Sequence, residues 1–252
     1  IDASAVDIAK LRLWLSLVVD EEDFETIKPL PNLDYKIVCG NSLLGVKRDL
    51  LNNHLFKELE ALKQQFFDET NPRKKKEEKE KIDRLIKQIT NNDEHFDFEI
   101  YFSEVFHQQG GFDITIGNPP YVRHEAIKEQ KPQLSKQFGS FYCGTADLYT
   151  YFYKKGLDEL RPGGHLCFIA PNKFMRAGYG KNTRALLTTE ATPKVVIDFG
   201  DLPIFDATTY PSILLLQKSS FVGAALRGRP ESGQPHRVAP TEPEFLAATF
   251  TD

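Results

Sequence analysis

Cysteine is scarce in this sequence, and the three present, Cys39, Cys143 and Cys167, lie far apart. That spacing excludes a disulfide framework and a zinc knuckle, and a reducing, cytoplasmic setting is expected. Cys39 and Cys167 fall in strand-like runs, where a small buried apolar residue is the expected role. The six histidines show no metal-ligand spacing, so no metal is assigned. Long apolar runs are missing too. Stretches such as Ile213–Leu216 fall far short of the roughly 20 residues that span a bilayer, so no membrane is expected as a partner. Asp2 and Asp7 stand where a signal peptide needs a basic and then an apolar stretch. A net charge of −4 excludes a protein coated in basic surface.

What is present suits a globular chain. Its 252 residues, 40% hydrophobic and 27% charged, fit one large domain or one domain plus a piece. Asp2 or Ser4 can cap a helix in which Val6, Ala9, Leu13 and Leu17 recur at helical spacing through Val19. A chain that opens at a helix cap with Ile1 is expected to be a fragment whose preceding strand lies outside it. Tyr35–Cys39 predicts a short buried strand ending in Gly40-Asn41-Ser42. Residues 51–90 then change texture. Leu51, Leu55, Leu59, Leu62 and Phe66 mark one amphipathic helix, and Ile82, Leu85, Ile86 and Ile89 mark a second. Asn71-Pro72 separates them, with proline suited to a first helical turn. This is an inserted helical hairpin, its charges forming a solvated face.

Strands and helices alternate beyond the hairpin. Strands are expected at Phe112–Ile116, His165–Ala170, Lys194–Phe199 and Ser212–Gln217, with helices at Asp147–Leu160 and Gly180–Leu187 and a turn at Arg161–Gly164. Such alternation predicts an α/β fold with a mostly parallel sheet. Residues 221–252, rich in Gly, Arg, Pro and Ser from about Gly223, are expected to be a linker or the start of another region. Asp113 is assigned to the turn into its strand, and Asp198 and Asp201 to a loop without a role.

The most specific string is Asn118-Pro119-Pro120-Tyr121, directly after the Phe112–Gly117 strand. Ligands of parallel α/β sheets bind beyond the carboxyl ends of strands. Two prolines stiffen the loop and remove two N–H donors, leaving carbonyls free to accept. This answers a chemical problem. The exocyclic amine of adenine is a poor nucleophile because its lone pair is delocalised into the ring. Two acceptors, the Asn118 side-chain oxygen and the Pro119 carbonyl, would favour a pyramidal nitrogen able to attack a methyl sulfonium. Tyr121 would stack on a base swung out of the duplex.

Several further strings stand in the same order: Gly111–Arg123 around the tetrapeptide, then Ala146-Asp147-Leu148-Tyr149, Leu160–Gly164, Pro171-Asn172-Lys173-Phe174, Tyr179-Gly180-Lys181 and Tyr210–Ile213. On these the chain, from about Ile1 to Lys218, resembles the gamma-class N6-adenine DNA methyltransferases of type IIG restriction–modification and related phage-defence systems. The resemblance implies a Rossmann-like sheet of seven strands, the last antiparallel, with S-adenosylmethionine as cofactor and the N-terminal strands missing here. Residues 1–220 would then be a partial methyltransferase catalytic domain, and 221–252 a linker or the start of a target-recognition region.

Carried over by position, the resemblance makes Asn118, Pro119, Pro120 and Tyr121 the catalytic loop. Asn41, with Ser42 beside it, matches the position that meets the cofactor's adenine, where Asp is usual. Ile1 matches the apolar residue packed on that adenine. The acidic residue for the ribose would fall before Ile1, and no Phe-x-Gly-x-Gly-like loop occurs anywhere in the chain. Asp147 is either a helix cap or a residue near the cofactor's methionine end. Phe174 or Tyr179 is a candidate for the second face of a base sandwich.

Double-stranded DNA is the expected partner, together with a target-recognition domain. Residues 121–184 hold eleven Lys and Arg against five acids, a local excess of six. Arg123, Lys173, Arg176 and Lys181 are the candidates for contacts to the DNA backbone. Two alternatives remain open: methylation of protein glutamine or of RNA bases by the same loop chemistry, and a non-catalytic fragment that binds DNA or a partner.

Overall fold

The computed structural model describes residues 3–19, 33, 35–45, 53–69, 71–90, 96–202, 204–205, 210–220 and 246–249. They form two compact units, Ile1–His107 and Gln108–Asp252.

The first unit contains helix α1 (Ala3–Val19) and the hairpin α2 (Asn53–Asp68) and α3 (Pro72–Ile89), followed by two short helices, α4 (Phe98–Tyr101) and α5 (Ser103–Gln109), the latter crossing the unit boundary. The hairpin folds as its sequence predicts. Asn71 accepts from the backbone N–H groups of Arg73 and Lys74, and Pro72 opens the first turn where its missing N–H costs nothing. Leu55, Phe56, Leu59 and Phe66 of α2 bury against Ile82, Leu85, Ile86 and Ile89 of α3, with Tyr35 and Ile100 in the same core. Lys63, 3% exposed, is also drawn in. Its ammonium donates to the carbonyls of Ile100 (2.8 Å) and Tyr101 (2.5 Å), and burial lowers its pKa to about 8.

Tyr35–Cys39 is a turn rather than the expected strand. Tyr35 sits at φ 62°, and Lys36 and Ile37 both donate their N–H groups to the Leu33 carbonyl. The cause is the Tyr35 ring, which is buried in the hairpin core with its hydroxyl donating to Asp83 at 2.7 Å. Cys39 is consequently exposed rather than buried, while Cys167 on strand β2 below is half-buried.

The second unit is a sheet covered by helices. In chain order it contains β1 (Phe112–Gly117), α6 (Lys131–Phe138), α7 (Leu148–Asp158), β2 (Leu160–Pro171), α8 (Lys181–Thr189), β3 (Ala191–Asp198), β4 (Pro211–Lys218) and β5 (Leu246–Thr249). The strand order is β1-β2-β4-β3-β5. β1 and β2 run parallel, β3 and β5 run parallel, and β4 runs antiparallel to both β2 and β3. This is a Rossmann-like α/β arrangement, with the one reversed strand, β4, inserted between β2 and β3, which run parallel to each other. Tyr149, Tyr153 and Leu157 of α7 and Leu186 and Leu187 of α8 pack with Leu166, Phe168, Leu214 and Leu216 of the sheet.

Two boundaries differ from expectation. Arg161–Gly164 belongs to β2 and forms a bulge, since the partner of Phe112 is Leu160 and that of Ile114 is already His165. The bulge is held by Arg161, whose Nε donates to Asp113 at 2.6 Å, so Asp113 pairs across strands. Within the stretch expected to be linker, Leu246–Thr249 forms a strand against β3; residues 221–245 lie outside the described residues.

No helix among the described residues is long and apolar enough to cross a membrane.

Candidate active site

Strand polarity decides where the site forms. β1 and β2 are parallel neighbours, so the loops after Gly117 and Pro171 leave the sheet at the same end. β4 is antiparallel and enters there, because Pro211 pairs with Pro171, and β3 ends there, because Asp198 pairs with Ser212. Four chain segments distant in sequence therefore meet at one end of the strands: 118–124, 171–180, 198–202 and Tyr210.

Between them lies a cavity of about 550 Å3 lined by Tyr121, Arg123, Asp147, Tyr149, Pro171, Asn172, Lys173, Arg176, Ala177 and Tyr210. Tyr121 packs against the sheet core and directs its hydroxyl to the Ile169 carbonyl at 3.4 Å. Burial raises its pKa, which keeps the phenol neutral. Its ring faces Phe205 edge to face, with centroids 6.2 Å apart and planes at 70°. Asn118 is exposed and Pro119 buried on the approach to Tyr121, and neither lines the cavity. The Val122 N–H returns to the Pro120 carbonyl at 2.9 Å, so the loop turns tightly after its two prolines.

The opposite wall is the turn after β2. Asn172 donates its backbone N–H to the Tyr210 carbonyl and its Nδ2 to Asp198, both at 2.8 Å. Asp198 also accepts from the Gly200 N–H at 3.2 Å. The residue assigned to a loop without a role thus orients a cavity-lining amide, leaving Asn172 Oδ1 as an acceptor. Gly180 closes the turn, since a Cβ there would lie 1.9 Å from the Phe174 carbonyl oxygen. Arg184 clasps the same turn, donating to the carbonyls of Phe174 (2.6 Å) and Ala177 (2.9 Å).

The candidates from sequence separate clearly. Tyr121, Arg123, Asp147, Lys173 and Arg176 line one cavity. Phe174 does not: it is 2% exposed, with its ring against Tyr149 and Tyr153 in the core, so it presents no face to a base. Tyr179 is half-buried and its hydroxyl is engaged with Tyr149 and Asp147. Lys181 is exposed at the start of α8. The Asp147 side chain makes no capping bond to α7. Each of its oxygens accepts from one other protein donor, the His124 backbone N–H and the Tyr179 hydroxyl, while the residue lines the cavity.

Ile1 lies outside the described residues. Asn41 and Ser42 belong to the first unit, where Asn41 Oδ1 accepts from the Leu43 N–H at 3.1 Å. An amide oxygen has a second lone pair, so exposed Asn41 still fits an acceptor for an adenine amino group. No role is legible in sequence for Phe205, Asn172 or Tyr210. Their signal is faint: an aromatic and an amide in loops gain meaning only when strand polarity brings those loops together.

Among the described residues no group of three or more His, Cys, Asp or Glu is placed to hold a metal ion.

Comparison with known proteins extends this picture. The Type II methyltransferase M.XhoI of Xanthomonas vasicola is 36% identical over 143 residues, covering 55% of this chain and 24% of that protein. M.PaeR7I of Pseudomonas aeruginosa is 34% identical over 127 residues, covering 48% and 22%. The restriction enzyme and methyltransferase RM.Eco57I of Escherichia coli is 30% identical over 114 residues, covering 43% and 11%. The chain therefore spans less than a quarter of the length of these relatives. Among solved structures, the Type IIL restriction–modification enzyme MmeI in complex with DNA is similar with a TM-score of 0.39 and 16% identity, over 55% of this chain and 22% of that one. The family model described as Eco57I restriction-modification methylase matches residues 1–205, and the chain accordingly belongs to the Eco57I restriction-modification methylase family.

Proposed function

We propose that this chain carries the target-amine half of an S-adenosylmethionine-dependent DNA adenine-N6 methyltransferase serving a restriction–modification or phage-defence system. The observation that carries the reading is Asn118-Pro119-Pro120-Tyr121 at the carboxyl end of β1, leading directly into a cavity rimmed by Arg123, Lys173 and Arg176.

The chemistry follows from the residues in order. Asn118 Oδ1 and the Pro119 carbonyl accept the two N–H bonds of the target amine, which localises the nitrogen lone pair and stabilises the charge that develops on attack. The stiff loop holds these acceptors without reorganisation. Tyr121 supplies one stacking face for the extruded base, and Phe205 supplies the other in place of Phe174. The edge-to-face geometry requires one ring to turn when the base enters. Arg123, Lys173, Arg176 and Lys181 neutralise backbone phosphates around the extruded nucleotide. S-adenosylmethionine supplies the methyl group, and Asn41, with Ser42 beside it, is the described position that fits contact with its adenine. Double-stranded DNA is the substrate, read by a target-recognition domain as partner.

The test is transfer of labelled methyl from S-adenosylmethionine to unmethylated DNA by the full-length protein, with the product digested to nucleosides. N6-methyladenine is the expected product. Label on cytosine, RNA or protein glutamine instead would overturn the reading.

A further inference from the structure

Helix α7 begins immediately after Asp147, yet the Asp147 carboxylate is turned away from the helix. Oδ1 accepts from the His124 backbone N–H at 3.1 Å, and Oδ2 accepts from the Tyr179 hydroxyl at 3.2 Å. The Tyr179 hydroxyl lies 3.0 Å from that of Tyr149, which accepts from the Phe174 backbone N–H at 3.1 Å. An ionised carboxylate can only accept. Tyr179 must donate to Asp147, so its oxygen takes the Tyr149 proton, and the Tyr149 oxygen takes the Phe174 amide. Every proton in the chain points toward Asp147, and hydrogen bonds aligned in this way strengthen one another. Burial raises the pKa of both phenols, that of Tyr179 to about 12, so both remain donors at neutral pH.

The ends of this chain lie on opposite walls of the cavity. His124 follows Tyr121 and Arg123, and their segment is clasped a second time where the Leu148 N–H donates to the Val122 carbonyl at 2.9 Å. Phe174 sits in the turn with Asn172 and Lys173, just before Arg176.

The geometry points to Asp147 as a positioning residue that, through Tyr179 and Tyr149, holds the segment bearing Tyr121 and Arg123 in register with the turn bearing Asn172, Lys173 and Arg176, and so sets the width of the pocket for the extruded base. This rests on the reading of the cavity as the receiver of a target adenine. Asp147→Asn replaces one acceptor by a donor, so either the His124 amide or the Tyr179 hydroxyl loses its acceptor, while Tyr179→Phe keeps the ring and removes the link.

Both variants of the full-length protein are assayed for steady-state methylation of DNA, S-adenosylmethionine affinity, thermal stability and the fluorescence of 2-aminopurine placed at the target adenine. Each is expected to lower kcat about 10- to 100-fold and weaken the extrusion signal, with cofactor affinity within about twofold of wild type. The double variant is expected to be no worse than Asp147→Asn alone, because both cut one chain. A large loss of cofactor affinity in Asp147→Asn with Tyr179→Phe silent would make Asp147 a cofactor ligand and overturn the proposal. Additive losses, or a lowered Tm with kcat intact, would overturn it too. Should Asp147→Asn fail to fold, an unchanged kcat in Tyr179→Phe decides against it alone. Product analysis of the wild type separates the two levels. Absence of N6-methyladenine there sinks the adenine reading, whereas N6-methyladenine with uncoupled variants sinks only the role of Asp147.

Discussion

Asn118 is small, exposed and placed at the end of a strand, and its proposed work is done by one oxygen atom. Asn118→Ala removes that oxygen without touching the buried Pro119 or the core behind it. Removal of one preorganised acceptor for the transition state is expected to lower methyl transfer about 100- to 1,000-fold while leaving cofactor affinity near wild type, measured by single-turnover kinetics and equilibrium binding. An equal loss of cofactor binding would contradict the assignment. Phe205 offers a complementary test, because its partly exposed ring faces Tyr121. Phe205→Ala is expected to weaken binding of DNA with an extrahelical target base by about 1–3 kcal/mol, the range for stacking of one base on an aromatic ring, and Phe174→Ala to act chiefly on stability. Equal affinity of Phe205→Ala and wild type for that DNA would overturn the stacking role proposed for Phe205.

At the scale of elements, the turn between β2 and α8 is the part of the site most dependent on backbone packing. Gly180 is the point of closest approach, with the Phe174 carbonyl where a Cβ would stand. Gly180→Ala has to push backbone rather than a flexible side chain, and is expected to destabilise the fold by about 1–3 kcal/mol. Denaturant unfolding checks this, and a midpoint equal to wild type would show that the turn yields freely. Although Leu51, expected to open the first helix, lies outside the described residues, the two helices of the hairpin α2–α3 are legible in sequence, because apolar residues spaced three to four apart and an Asn-Pro cap are local signals. The Tyr35–Cys39 segment is not. Its apolar run is compatible with a strand, but one aromatic ring finds a deeper burial in the hairpin, and the backbone follows it into a turn.

For the molecule as a whole, charge is the property that local reading obscures. The net charge is −4, yet the second unit collects cations at the cavity rim. Not every cation in that stretch is available. Lys154 pairs with Asp158 and Glu190, Lys155 with Glu159 and Arg161 with Asp113, while Arg184 is spent on backbone carbonyls. Arg123, Lys173 and Arg176 remain facing the cavity. Replacing Arg123 or Arg176 by Ala is expected to reduce the slope of log affinity for DNA against log salt by about 0.9 for each phosphate that is no longer neutralised. A slope unchanged in both variants would place the DNA elsewhere on the surface.

Among the described residues the sheet also exposes Ile114 (65%) and Ile116 (77%) along β1, one of its two edge strands. The alternation of strands and helices and the Asn-Pro-Pro-Tyr loop at a strand end were available from the sequence, because periodicity, proline stiffness and motif order are properties of contiguous residues, whereas a reversed strand was implied only by the family resemblance. What the tertiary structure alone decided is which distant residues share the site. Strand polarity brings Phe205, Tyr210 and Asn172 to the mouth of the loop. Core packing withdraws Phe174 from it, and a directed hydrogen-bond chain occupies both oxygens of Asp147. These outcomes depend on the competition of each side chain for burial and for hydrogen-bond partners, and neither competition is written in the spacing of residues along the chain.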